Sequence, residues 1–168
     1  YCVEVRCPAS GWLVPLLPSR IISKPRSGAR DNVLVELIPD YESRNYRLQI
    51  RSLCTNEEMI AATVGTVRRD GRGKPSFLIH KPNSDVFKTP IASLKGPIEA
   101  LGRGRQVRLW QACDVTPRED DLFQERLYCI QWQRVNPITG KTEFEFRSAT
   151  QQDQERENAV MEYVATHL

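Results

Sequence analysis

The stretches Asn32-Val33-Leu34-Val35-Glu36-Leu37-Ile38-Pro39 and Asn45-Tyr46-Arg47-Leu48-Gln49-Ile50-Arg51-Ser52-Leu53 decide the fold class. Each alternates apolar and polar side chains with a period of two, the pattern that gives a strand one face toward a core and one toward water. The turn-like residues 39–44 between them make the two an antiparallel pair. A hairpin of this length predicts an α+β chain that is rich in strands. Just downstream, Thr55-Asn56-Glu57-Glu58 sets a capping hydroxyl three residues before a Glu and ahead of Met59, Ile60, Ala61 and Ala62. A short mid-chain helix follows from that signature, with Gly65 as its stop.

The rest of the chain extends the same pattern. Residues 66–69 and 76–80 read as strands around the basic turn Arg69-Asp70-Gly71-Arg72-Gly73-Lys74-Pro75. Thr89-Pro90-Ile91-Ala92-Ser93-Leu94 starts a single helical turn, residues 96–104 a flexible connection, and residues 105–111 a short strand with Trp110. Residues 126–135 form one strong strand that turns at Asn136-Pro137-Ile138-Thr139-Gly140-Lys141 and returns over 142–147. Residues 150–167 predict a helix capped by Ser148 or Thr150, with Val160, Met161, Val164 and Leu168 as an apolar stripe near its end. Its first half is polar all round. Upstream, residues 26–31 read as a loop, while residues 1–6 and 12–24, punctuated by Pro15, Pro18 and Pro25, suit edge strands and turns. We expect one domain over 1–168, of accessory or insert character, with a looser subregion at 66–110.

Composition bounds the function. At 168 residues and 40% hydrophobic, the chain buries a real core. Its net charge of +3 is the small difference of 24 basic and 21 acidic residues, so any affinity for nucleic acid must come from local clustering. No apolar run reaches the roughly 20 residues of a membrane span. Five scattered cysteines do not form a secreted disulfide framework. Free thiols and a cytoplasmic location are expected. The start at Tyr1, without an initiator Met and inside a strand, suggests a fragment of something larger.

The first twelve residues, Tyr1-Cys2-Val3-Glu4-Val5-Arg6-Cys7-Pro8-Ala9-Ser10-Gly11-Trp12, open like half of a zinc ribbon, C-P-x-x-G after a strand. Ser10 stands where the second thiolate belongs, and the 69–75 turn, where the second knuckle would sit, has no cysteine. A closed tetrahedral site needs four good ligands, so we expect a degenerate, metal-free ribbon-like start. Cys2 and Cys7 would need His80 or Cys54 as further ligands, and buried unpaired Cys is more often a small hydrophobe. His80 and His167 lack a neighbouring Ser, Cys and Asp arrangement for nucleophilic catalysis. Glu119-Asp120-Asp121 with Glu125 could hold magnesium or serve as acid and base, yet the preceding Pro117-Arg118 favours a solvated turn. Gly71-Arg72-Gly73 and Gly102-Arg103-Gly104 are too short for a dinucleotide fingerprint. Their surroundings supply candidate phosphate contacts: Arg68, Arg69, Arg72, Lys74, Arg103, Arg105 and Arg108.

At residues 1–19 (YCVEVRCPASGWLVPLLPS), at Thr89-Pro90-Ile91 and at 114–132 (DVTPREDDLFQERLYCIQW), the chain resembles bacterial adenine-specific DNA methyltransferases of the type that begin with a large domain of unknown function. The resemblance implies an insert between the methyl-donor and catalytic motifs of such an enzyme. The parent would move a methyl group from S-adenosylmethionine to the exocyclic amine of adenine in duplex DNA. This chain carries neither F-x-G-x-G nor the Asn/Asp-Pro-Pro-Tyr tetrapeptide that would hold a flipped base. Its one Asn-Pro is Asn136-Pro137-Ile138. No catalytic or cofactor-binding residue transfers, and no cofactor is expected in the fragment itself. Its expected partners are double-stranded DNA and the remainder of the methyltransferase chain. A structural or protein-interaction insert without nucleic-acid contact is the alternative, and an independent enzyme the third class.

Overall fold

The computed structural model describes residues 1–24, 32–94, 117–118 and 121–167. In chain order these form β1 Cys2–Arg6, β2 Leu13–Pro15, β3 Ile21–Ser23, β4 Val33–Asp40, β5 Asn45–Arg51, α1 Asn56–Ala62, β6 Val67–Arg69, β7 Pro75–His80, β8 Phe87–Pro90, α2 Ile91–Leu94, β9 Phe123–Arg126, β10 Cys129–Val135, β11 Thr142–Ser148 and α3 Gln151–His167. Every described pairing is antiparallel. Three three-stranded sheets, β2-β1-β9, β3-β4-β5 and β6-β7-β8, stand beside the β10-β11 hairpin. The strand-rich α+β reading holds. The predicted connection over 96–104, the strand over 105–111 and the loop over 26–31 lie outside the described residues.

The β4-β5 pair runs unbroken from Leu34 opposite Arg51 to Asp40 opposite Asn45. Its turn is held by the Asp40 carboxylate, which accepts from the Ser43 hydroxyl at 2.7 Å and the Glu42 amide at 3.1 Å. Arg44 closes the turn at φ 51. Three clusters make the core, and β4, apolar and buried at Val33, Leu34 and Val35 in succession, covers both its faces where strict alternation predicts one. Val5, Cys7, Trp12 and Val14 meet Tyr46 of β5, Leu78 of β7, Leu94 of α2 and Leu122 in the largest cluster. Cys2, Leu17, Val35 and Leu48 form a second, and α1 lays Met59 and Ala62 against Leu34 and Cys54 in a third. Thr66 ties the β6-β7-β8 sheet in: its buried hydroxyl donates to the Pro15 carbonyl and accepts from the Leu17 amide at 2.9 Å.

Three local expectations change. Residues 1–6 are not an edge: β1 is the middle strand of its sheet, between β2 and β9. The prolines that suggested an edge all follow Arg6, so the β1 amides are free to pair on both sides. The strand expected over 126–135 divides, with β9 pairing to β1 and β10 to β11. The break follows from Arg126, whose guanidinium is ion-paired with buried Glu4 and donates to the Tyr46 carbonyl at 2.9 Å, which locks β9 onto β1. Helix α1 has the expected capping box, Glu58 accepting from the Thr55 amide at 2.8 Å and its own amide donating to Thr55 Oγ1 at 3.2 Å. Gly65 does not end it. Thr63 is the C-cap, and Arg20 takes the last carbonyls, donating to Ala61 at 3.1 Å and Val64 at 3.2 Å. Gly65 is required instead because a Cβ there would lie 1.9 Å from the Leu17 carbonyl oxygen.

For α3, Thr150 is the one of the two expected caps that begins the helix: Asp153 accepts from the Thr150 amide at 2.8 Å and returns its own amide to Thr150 Oγ1 at 3.3 Å. Ser148 belongs to β11, and its hydroxyl accepts from the Ile50 amide at 2.8 Å. Arg147 clamps Asp153 with its two terminal guanidinium nitrogens, Nη1 and Nη2, at 2.6 and 3.0 Å. The apolar stripe finds only partial cover, since no described α3 side chain is buried.

Candidate functional site

Strand alternation builds a two-faced sheet from β6, β7 and β8. The register aligns Val67, Leu78 and Thr89 in one row, all buried. The adjacent row, Arg68, Phe77 and Pro90, therefore looks outward, as does the Ile79 and Lys88 pair. Lys88 Nζ sits 4.1 Å from the centroid of the Phe77 ring, a cation resting on an aromatic face. Arg68 lies directly across from Phe77 on the other side. The outer face thus carries an aromatic ring between two cations, and Lys88 was absent from the candidates that the sequence suggested. The signal was present in the alternating run Phe87-Lys88-Thr89-Pro90, once its pairing with β7 is known.

The β6-β7 turn extends this face. Asp70 Oδ1 accepts from the amides of Arg72 and Lys74, both at 2.9 Å, and Arg69 Nη1 donates to the Gly73 carbonyl at 2.9 Å. Gly73 needs its φ of +78, which L side chains rarely adopt. Asp70 spends its carboxylate on the turn backbone, and Arg69, Arg72 and Lys74 stay exposed. From Val67 to Pro90 the chain has six basic residues, Arg68, Arg69, Arg72, Lys74, Lys81 and Lys88, against Asp70 and Asp85, a net +4. The whole chain carries +3, so the remainder is slightly acidic and this sheet concentrates the positive field. Arg68, Arg69, Arg72 and Lys74 are thus brought together on one sheet and its tip. Arg103, Arg105 and Arg108 lie outside the described residues.

The inner face of the same sheet makes a second cluster. The turn after β1 is closed by the Cys7 amide donating to the Trp12 carbonyl and the Gly11 amide to the Cys7 carbonyl, both at 2.8 Å. It presents Cys7 Sγ to Thr89 Oγ1 at 3.3 Å and Ser10 Oγ to His80 Nε2 at 3.0 Å. Tyr46 Oη lies 3.0 Å from His80 Nδ1. A Tyr46 hydroxyl donating to Nδ1 leaves the Nε2 proton for the Ser10 and Cys7 side. Burial pushes the Cys7 thiol up, but hydrogen bonds from His80, Ser10 and Thr89 outweigh it and bring it down to about 6. Burial also pushes the Tyr46 phenol up to about 12.

This cluster is closed to substrates. Cys7 has no exposed surface, and Trp12, Tyr46 and Phe87 wall the site, with Trp12 and Tyr46 ring centroids 5.3 Å apart and Phe87 stacked 5.3 Å from His80. A nucleophile needs access, so Cys7 and His80 are a packed pair and not a catalytic one. The partner of the Cys7 turn is also not the 69–75 turn that the ribbon reading pointed to. It is the far end of β7 with β8. Among the described residues, no three His, Cys, Asp or Glu side chains stand close enough to hold a metal ion.

Of the remaining candidates, Glu119 and Asp120 lie outside the described residues. Asp121 is buried, and its carboxylate accepts from the Arg118 amide at 2.8 Å in a turn. Asn136 caps the β10-β11 turn through Oδ1, which accepts from Ile138 N at 2.9 Å and Thr139 N at 3.1 Å. His167 lies on exposed α3, stacked on Tyr163 at 4.1 Å. No described helix is long and apolar enough to cross a membrane. The class that fold and site define is an antiparallel α+β module with one basic, aromatic-bearing sheet face. Comparison with protein-family models, curated proteins and solved structures finds no match to the chain.

Proposed function

We propose that the chain is a DNA-contacting accessory insert of a bacterial adenine-specific DNA methyltransferase whose donor is S-adenosylmethionine. The observation that carries the contact is the outer face of β6-β7-β8, where Arg68 and Lys88 flank Phe77 and Arg69, Arg72 and Lys74 crown the adjoining turn. Side-by-side cations are what a phosphate backbone requires, and an aromatic ring among them adds a surface for sugar or base. The parent enzyme is supported by the resemblance of residues 1–19 and 114–132. The chain supplies no chemistry of its own: Asn136 is committed to its turn, and no donor-binding motif is present.

Binding of this kind is weak, indifferent to sequence and steeply salt-dependent, because each neutralised phosphate adds about 0.9 to the log–log slope. Replacing Arg69, Arg72 and Lys74 together with Ala removes up to three such contacts, so the slope falls by about 2 to 3. Titrating labelled duplex at two salt concentrations with both proteins reads this directly. Slopes that agree would dismiss the turn as a contact. Isothermal calorimetry with S-adenosylmethionine gives no heat of binding on this account, and a micromolar site would refute the non-catalytic reading.

One observation favours the alternative of a protein-interaction insert. Trp132, Val135, Ile138 and Phe144 of the β10-β11 hairpin and Val160 and Tyr163 of α3 are exposed apolar side chains. They suit contact with the remainder of a larger chain.

A further inference from the structure

We infer that α3 of one copy of the chain lies across the outer face of β6-β7-β8 of a second copy, and that this self-association covers the face proposed above for DNA. Only the covering rests on the DNA reading; the contact itself stands on charge and spacing. Helix α3 carries Asp153, Glu155, Glu157 and Glu162 against Arg156, a net −3, where residues 67–90 carry +4. The two regions are close in magnitude and opposite in sign, as a steered contact requires. Within its own chain α3 is tied down on one side. Asp153, Glu157, Met161 and Val164, spaced as one helical stripe, are half-buried. Arg147 of β11 holds Asp153, and Gln154 Nε2 donates to the Leu127 carbonyl at 3.4 Å. That anchorage points the opposite stripe, Glu155, Ala159, Glu162, Tyr163 and Thr166, away from its own chain, and all five are exposed. The basic face that it meets is therefore a second copy's.

Both surfaces hold charges that their own chain does not pair. Among the described residues no cation pairs with Glu155 or Glu162, and no carboxylate with Arg68 or Lys88. The spacings agree as well. Seven residues of helix put Glu155 and Glu162 about 10.5 Å apart along α3. Arg68 and Lys88 stand on the two outer strands, two interstrand steps across and two residues along. Their backbones are then about 12 Å apart on the diagonal. A helix laid on that diagonal sets one carboxylate over each cation. Between them, small Ala159 passes over half-buried Phe77 and Ile79 of β7, and exposed Tyr163 adds apolar contact beside it. Two exposed ion pairs over so small a contact give weak association that salt screens.

The test is sedimentation equilibrium over a concentration series at low salt, on the parent chain and on variants shown by circular dichroism to be folded. The mean mass of the parent should rise with concentration and fall back to that of the monomer as salt is added. Glu155→Gln with Glu162→Gln, and separately Arg68→Ala with Lys88→Ala, should each weaken self-association about 5- to 30-fold. Exchanging the charges gives a sharper readout. Glu155→Lys with Glu162→Lys in one chain, and Arg68→Glu with Lys88→Glu in another, should each stay monomeric alone and associate when mixed. Labelled duplex should disperse the parent's assemblies, and the Glu155→Gln/Glu162→Gln chain should bind duplex at least as tightly as the parent. A parent chain that binds duplex but stays monomeric at every concentration overturns the inference and leaves the DNA contact standing. Folded variants that associate as the parent does, or exchanged-charge chains that fail to associate on mixing, overturn it too.

Discussion

Single residues settle several questions that spacing alone leaves open. Cys7 is buried among Ser10, His80 and Thr89, and its thiol falls to about 6 against the usual 9.0. A lowered value means that the folded state favours the thiolate. The stabilisation is complete above the unfolded value near 9.0 and is lost as pH falls toward 6. The unfolding free energy of the parent chain relative to Cys7→Ser should therefore shrink from pH 9 to 6, by at most about 1.4 kcal/mol per pH unit. A gap that is constant with pH would show a neutral thiol throughout. Gly65 offers a second test. An added Cβ meets the Leu17 carbonyl at 1.9 Å, so Gly65→Ala must shift backbone and should cost roughly 4 kcal/mol, the exceptional end for one substitution. Denaturant unfolding measures it, and a loss under about 1 kcal/mol would contradict the packing described. The sequence marks Gly65 as special but gives the wrong cause, because the clash comes from a residue 48 positions away.

At the level of elements, local signals carried far and pairing signals did not. The β4-β5 hairpin, the capping box of α1 and the β10-β11 turn are written in neighbouring residues and were legible. The division of residues 126–135 was not, because it depends on Arg126 reaching Glu4 on β1, 122 positions away. The same limit hid Lys88, which joins the basic face only through its pairing with Ile79, and the meeting of Ser10 with His80. Burial also grades the elements. β1, β4 and β7 each place fully covered side chains in the core, whereas α3 places none. Amide exchange should be slowest in β1, β4, β5 and β7 and fastest in α3, whose opening exposes little apolar surface. Thr150→Ala should raise α3 exchange through loss of a cap worth about 1 kcal/mol, while leaving the melting temperature nearly unchanged. A matching fall in global stability would show that α3 folds with the core.

For the whole molecule, charge placement outweighs charge total. A net +3 predicts little, but +4 gathered between Val67 and Pro90 gives one sheet a field of its own. The same sheet is buried on its inner side through Leu78, His80 and Thr89, so its outer cations stand on a rigid base. A base of this kind fixes the backbone spacing of Arg68 and Lys88, as the proposed phosphate contact requires. The most direct measurement is a fluorescence anisotropy titration of labelled duplex DNA at low salt, comparing the parent chain with Arg68→Ala/Lys88→Ala, which alters the outer face and spares the core. The account predicts binding by the parent that weakens steeply with salt, and a variant that binds less with a slope lower by about 2. A parent chain that does not bind at low salt, or a folded variant that binds equally well, would contradict it.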